Sequence, residues 1–474
     1  MPKAKTNNDF LQNNIGKIIY QNHSMLFPTL LILFSFISTF SLNAQAVKVE
    51  VVKTETGYQF LRGGQPYYVI GAGGDTHLDV VKKIGGNSIR TWGIDNAQEI
   101  LDNAQKHGLT VMLGFWLQHE RHGFDYNNEE KVQKQLEHFK RVIDQFKNHP
   151  ALLMWGIGNE VDLFYTNPKV WNAIQDIAKY AHQVDPNHPT STVTAGLDSL
   201  EVDHIKNRAP DIDVYCVNTY GDIGNVPNNI YKFGWTGPYM ITEWGPNGHW
   251  ESPTTSWGAA IEQSSTEKSE VYYNRYKKYI EAYKNRCLGS YVFLWGQKQE
   301  YTLTWYGLFT KDQMQTEAID ALEIAWTGKN PTFATPTITS FTINNQKAAE
   351  NPTMMANTPN FATAITPLNC YQLTNCDSSN KQITYKILRE SSDKKAGGDV
   401  ENEAEEVPTK FKFSKNGKVI FDAPNETGAY RLFVTIIYKE KVAYANCPFT
   451  VIPNPKRGNG KKVWIKKWEM GSFD

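Results

Sequence analysis

Two glutamates stand in matching surroundings. Glu160 ends the run Trp155-Gly156-Ile157-Gly158-Asn159-Glu160, and Glu243 lies within Ile241-Thr242-Glu243-Trp244-Gly245. Each closes a short apolar stretch and has glycine and tryptophan beside it. Two carboxylates facing one cleft are the minimum equipment for cleaving an acetal: one donates a proton to the departing oxygen while the other attacks or activates water. For a single glutamate at a strand end, capping a helix or pairing with an arginine is an equal alternative. Two in the same frame favour chemistry.

The elements that must position them follow a repeating order. Apolar runs at 67–71, 87–92, 110–115, 152–157, 191–194, 214–220, 239–242 and 290–294 read as strands, after an opening strand at 47–53 and a Gly63-Gly64 turn. Between them, 97–107, 129–146, 170–183 and 264–283 carry apolar residues at helical spacing, and 317–326 closes the series. Eight strands with crossovers predict a (β/α)8 TIM barrel over 47–330, whose chemistry gathers at the carboxyl ends of the strands. Both glutamates fall at such ends. An open doubly wound sheet is the rival fold, but Gly71-Ala72-Gly73-Gly74-Asp75 has Thr76 where a dinucleotide loop needs its third glycine.

Beyond 331 the texture changes to short Thr, Ile, Phe, Val and Tyr runs broken by Asn, Pro and Gly, which predicts an immunoglobulin-like β-sandwich over 331–454. Within it, Gly428-Ala429-Tyr430-Arg431-Leu432 has the form of a late strand entry whose tyrosine folds back onto backbone. The acidic run 399–406 reads as a solvated loop, and 455–474 as a basic tail around Trp464. At the other end, the apolar run 26–42 leads into Asn43-Ala44-Gln45-Ala46. A signal peptide and leader over 1–46 are expected, hence a secreted, periplasmic or cell-surface protein, with a membrane anchor as the alternative.

The 474 residues hold 49 basic and 49 acidic side chains, a balance that argues against a general nucleic-acid binder. Five cysteines are too few for a disulfide scaffold. Cys216 and Cys287 read as buried thiols, while an exported chain could bridge two of Cys370, Cys376 and Cys447. In Gln118-His119-Glu120-Arg121-His122 the two histidines are three apart and lack the four-residue spacing of a zinc helix, so no metal is expected. His119 is instead a candidate for sugar-hydroxyl contact. Gln297-Lys298-Gln299-Glu300 forms a polar rim after the eighth strand. Of the aromatics after strands or in the facing loops (Trp92, Trp116, Trp244, Trp250, Trp257, Trp295, Trp305 and Tyr306), Trp244 and Trp295 are the first choices for a cleft, with Trp116 beside them.

This constellation resembles glycoside hydrolase clan A, the retaining β-glycosidases built on (β/α)8 barrels. The resemblance implies that Asn159-Glu160 supplies the acid/base at the end of strand four and Glu243 the nucleophile at the end of strand seven. It matches Arg90 in Ser88-Ile89-Arg90-Thr91-Trp92 to the clan arginine, Tyr220 to the strand-six tyrosine, and Trp295 to the strand-eight tryptophan. Asn218 stands where many members have histidine. Arg90 and Tyr220 are then expected to keep Glu243 charged, burial and that charge to keep Glu160 protonated, and Asn159 to bond the sugar 2-hydroxyl. Within the clan the chain resembles bacterial endo-β-1,3-glucanases of family 158 and the catalytic barrels of family 2. The segment Arg90-Thr91-Trp92-Gly93-Ile94-Asp95 is also similar to fungal β-1,3-glucanosyltransferases. The implied activity is a secreted retaining endo-β-glycosidase without cofactor, acting on a β-glucan polysaccharide or oligosaccharide, β-1,3-linked by the first resemblance. No obligatory protein partner is evident. A transglycosylase and a non-catalytic glycan-binding surface protein are the alternatives.

Overall fold

The computed structural model describes residues 45–366, 381–414 and 417–455. The expected leader up to residue 44, Cys370, Cys376 and the basic tail with Trp464 lie outside the described residues. An antiparallel sheet comes first: β1 (Val49–Lys53), β2 (Tyr58–Arg62) and β3 (Gln65–Tyr67). Eight parallel strands follow: β4 (Val69–Gly73), β5 (Ser88–Arg90), β6 (Thr110–Phe115), β7 (Leu152–Asn159), β8 (Thr190–Ala195), β9 (Val214–Asn218), β10 (Tyr239–Glu243) and β11 (Cys287–Val292). They close in sequence order into a barrel, β11 pairing back onto β4. The helices are α1 (Leu78–Lys83), α2 (Ala97–Lys106), α3 (Glu129–Phe146), α4 (Lys169–Val184), α5 (Ser199–Arg208), α6 (Val226–Lys232), α7 (Ser265–Arg275) and α8 (Glu317–Thr327).

Two apolar layers hold this frame. Val69, Met112, Met154, Val193, Val214, Cys216, Met240 and Tyr291 pack together with Val49 and Phe60 of the first sheet. That sheet is tied to the residues entering β8 and β11, through Val49 N to Asn187 O (2.7 Å) and Tyr58 N to Asn285 O (2.7 Å), so it closes the amino end of the barrel. The second layer lies between strands and helices, where Leu113, Phe115, Trp155, Ile177 and Leu322 are fully or almost fully buried. Cys216 and Cys287 are free thiols buried in these layers, which pushes both up to about 12.

The remaining strands are β12 (Gln315–Thr316), β13 (Ser340–Ile343), β14 (Thr353–Met355), β15 (Pro359–Ile365), β16 (Lys381–Arg389), β17 (Glu406–Val407), β18 (Lys412–Phe413), β19 (Val419–Asp422), β20 (Gly428–Tyr438) and β21 (Lys441–Ile452). One sheet runs β12-β21-β20-β16-β17, with β14 also on β21, and the other runs β13-β15-β19-β18. Tyr430 folds back as expected, its hydroxyl donating to Glu426 O at 2.9 Å. Cys447 is a buried free thiol.

The all-β part is fastened to the barrel by buried charge. Glu262 accepts hydrogen bonds from Lys268 (2.6 Å), Thr302 (2.6 Å), Thr304 (2.8 Å) and Asn446 (2.6 Å). Arg431 on β20 pairs with Glu390 at 2.8 Å and donates to Ala260 O at 2.9 Å. The acidic run at 399–406, expected to be solvated, is partly docked instead: Glu401 is buried and accepts from Tyr301 N at 2.6 Å.

Candidate active site

Four of the expected polar residues stand where a barrel strand ends. Arg90 ends β5, Asn159 ends β7, Asn218 ends β9 and Glu243 ends β10. The exit of β7 is bent: its pairing with β8 slips between Gly156 and Asn159, and Gly158 has φ of 82°. Glu160 follows at φ of 49°, a conformation that costs a side-chain-bearing residue roughly 1–2 kcal/mol. The bend re-aims consecutive residues, so that Asn159 and Glu160 both border the same cavity.

Glu243 is almost completely buried and meets three donors. Arg90 Nη1 (3.1 Å) and Trp92 Nε1 (2.7 Å) donate to its Oε1, and the Tyr220 hydroxyl donates to Oε2 at 3.0 Å. Arg90, itself buried, also donates to Thr242 O at 2.8 Å, to Asn218 Oδ1 at 3.3 Å and to Asn159 Oδ1 at 2.5 Å. Such a shell suits an ionised carboxylate. Burial, followed by the charge of Glu243, holds the Tyr220 phenol far above its ordinary range, so it stays a donor.

Glu160 has a different environment. Among the described residues its side chain accepts one hydrogen bond, from Asn218 Nδ2 at 2.9 Å, and Asn218 Nδ2 also donates to Asn159 Oδ1 at 3.1 Å. Burial raises the Glu160 carboxyl first and the negative charge of Glu243 adds to it. Asn218 and Arg90 oppose them, and the result lies at about 7. Glu243 is thus ringed by donors, while burial and a neighbouring negative charge favour the proton on Glu160.

Both glutamates line a cavity of about 670 Å³. Trp92, Trp116, Phe164, Trp250, Phe293 and Leu294 supply its apolar walls, and Asp222, Glu251, Lys298 and Glu300 its polar ones. Trp250 and Phe164 are 62% and 67% exposed, open faces on which a sugar ring can stack. Lys395, Ala396, Gly397 and Gly398 of the all-β part line the cavity as well.

Three expectations are corrected. Trp244 is fully buried against Tyr272 and Tyr276, because it points out of the barrel into the helical layer when its neighbour Glu243 points in. Trp295 is also buried; its Nε1 donates to Thr76 O at 2.9 Å, its ring packs on Phe309, and Phe293 and Leu294 face the cavity in its stead. His119 does not reach the cavity but stacks under Trp116, with ring centroids 4.7 Å apart. Burial, with Arg121 nearby, lowers His119 to about 4 and keeps it neutral. Trp305 and Tyr306 are buried beside Tyr220 and Phe293.

With this geometry established, comparison with known proteins is decisive for the family. The TIM barrel domain of glycosyl hydrolases family 2 matches residues 75–327, more than half of the chain. The chain belongs to glycosyl hydrolase family 2. Of the two families it was expected to resemble most, the match falls on family 2 and not on family 158.

Among curated relatives, β-glucuronidase of Felis catus is 27% identical over 186 residues, covering 35% of this chain and 27% of the relative. β-Glucuronidase of Paenibacillus borealis is 28% identical over 205 residues, covering 37% and 32%. The chain therefore spans only about a third or less of the length of these relatives. Solved structures similar to it include Bifidobacterium dentium β-glucuronidase complexed with coumarin-3-O-glucuronide, at 21% identity and a TM-score of 0.46, covering 60% of this chain and 49% of that one. β-Glucuronidase of Dictyoglomus thermophilum is 18% identical with a TM-score of 0.47, covering 60% and 54%.

Proposed function

We propose that the protein is a retaining β-glycosidase working by double displacement, with Glu243 as nucleophile and Glu160 as acid/base. The observation that carries this is the contrast between two carboxyls on one cavity: three donors on Glu243, and burial beside a negative charge for Glu160. Glu243 attacks the anomeric carbon as Glu160 gives its proton to the leaving oxygen. The glycosyl ester that forms cancels the Glu243 charge, which removes one of the causes that raise Glu160. Glu160 then holds its proton less tightly and can take one from the incoming water. Asn159 Oδ1 is occupied by Arg90 and Asn218, so its amide nitrogen is the group it offers to the sugar 2-hydroxyl.

For the substrate, the charge of the cavity favours a neutral β-linked glycan. Its lining carries Glu160, Asp222, Glu243, Glu251 and Glu300 against two lysines. Lys298 is paired with Glu300 at 2.9 Å, and Lys395 has Asp393 at 3.6 Å. Among the described residues, a uronate carboxylate entering this field meets no uncompensated cation. The second reading is a β-glucuronide, favoured by the names of the relatives. With family 2 in place of family 158, the ground for a β-1,3 linkage in particular falls away, and the proposal is the neutral class. Export, read from the apolar run at 26–42, is part of the same proposal.

The test compares 4-nitrophenyl β-D-glucoside, β-D-galactoside and β-D-glucuronide, with the anomer of the first product recorded by NMR. Turnover of a neutral glycoside with retention is expected. Inversion would overturn the double displacement, and turnover of the glucuronide alone would overturn the neutral substrate. Products longer than an oligosaccharide substrate would mark transfer rather than hydrolysis.

A further inference from the structure

The segment 393–401, between β16 and β17, leaves the all-β part and lies over the barrel mouth. Three barrel loops hold it. After β6, Arg121 Nη1 donates to Asp399 at 2.8 Å and to Ala396 O at 3.2 Å, and His122 Nε2 lies 3.1 Å from the same Asp399 carboxylate. After β7, Leu163 presses so close to Gly397 that a Cβ there would come within 2.6 Å of it. After β11, Lys298 donates to Gly398 O at 2.7 Å and Tyr301 N to Glu401 at 2.6 Å. Gly397 and Gly398 have φ of 62° and 72°, which glycine adopts without strain. The segment is also braced internally, Glu401 accepting from Lys395 N at 3.0 Å.

A loop anchored in this way is a fixed wall, and its inner side, from Lys395 to Gly398, lines the same cavity as Glu160 and Glu243. We propose that the all-β part completes the substrate cleft, and that Lys395 is a sugar-binding residue which donates to a ring hydroxyl. Its ammonium has three donors; one is spent on Val400 O, and the side chain is 43% exposed beside Asp393. With its charge balanced by that carboxylate, it suits a neutral hydroxyl better than an anion. Asp399 is the positioning residue, acting through Arg121 and His122. This assignment rests on the cavity being a sugar site.

The test reads binding, so that it does not depend on turnover. In the Glu160→Gln protein, affinities for β-1,3- and β-1,4-linked glucotetraose are measured by calorimetry, then repeated with Lys395→Ala, Lys395→Arg and Asp399→Ala added. A hydrogen bond from a charged donor corresponds to roughly tenfold or more in affinity. Lys395→Ala and Asp399→Ala should each weaken binding of at least one tetraose by about that factor, and Lys395→Arg should restore most of it. Unchanged affinity in both weakened variants, or no binding of either tetraose, would overturn the proposal. If the losses occur while the wild-type chain turns over no glycoside, the wall stands and the catalytic proposal falls.

Discussion

Replacing Asn218 by alanine removes a hydrogen bond that favours the charged form of Glu160, a contact of 2.9 Å. Glu160 lies at about 7 with that bond in place, so loss of the donor moves it further up. A hydrogen bond to a charged group contributes about 1.5–3 kcal/mol. At 1.36 kcal/mol per pKa unit this is about 1–2 units, and cavity water that takes over part of the bond brings the expectation near one. The alkaline limb of kcat/KM, which follows loss of the Glu160 proton, should therefore shift from near 7 toward 8. At pH 8 the protonated fraction would rise from about a tenth to about a half, by the same one-unit shift. Absolute rates should fall, because Arg90 and Asn159 also lose a partner. The assay is kcat/KM from pH 5 to 10 on an aryl glycoside with a poor leaving group, where the proton is needed. A limb that stays in place or moves down would refute the electrostatic account of Glu160, as would an intact limb in Glu160→Ala.

Other substitutions separate the walls of the site from its surroundings. Tyr220→Phe takes a donor from buried Glu243 and should lower kcat/KM by about 10- to 100-fold, with folding unchanged by circular dichroism. Trp250→Ala removes an exposed aromatic face and should raise KM for oligosaccharides with little change in thermal midpoint. Trp295→Ala should do the opposite, costing about 3–5 kcal/mol in urea unfolding because the ring is buried core. Glu262→Ala leaves Lys268 buried without its carboxylate and should destabilise by about 3–5 kcal/mol, again by urea unfolding.

The barrel was legible because most of its strands carry a short apolar run and the longer helices carry clear apolar spacing. The span 129–146 agrees with α3 at both ends. The short helices α1 and α6, and the weakly amphipathic α5, left no comparable pattern. In the site, the two glutamates could be anticipated from the strand ends, and Arg90, Asn159 and Tyr220 from the resemblance to clan A. The two tryptophans were misplaced because proximity to a strand end does not reveal which side of the wall a ring takes. Trp244 follows the alternation outward, and Trp295 lies beyond the last ladder bond of β11. The wall at 393–401 was illegible for another reason. Its anchor joins Arg121 to Asp399, 278 positions apart, and an acidic run carries no local sign of a distant partner.

The most direct test is to trap the covalent intermediate. Incubation with a 2-deoxy-2-fluoro β-glycoside bearing a good leaving group, followed by peptide mass spectrometry, should find one sugar on the peptide that contains Glu243, and none in the Glu243→Gln protein. A label on another residue, or steady turnover with no label alongside an inverted product, would contradict the assignment of Glu243 as nucleophile.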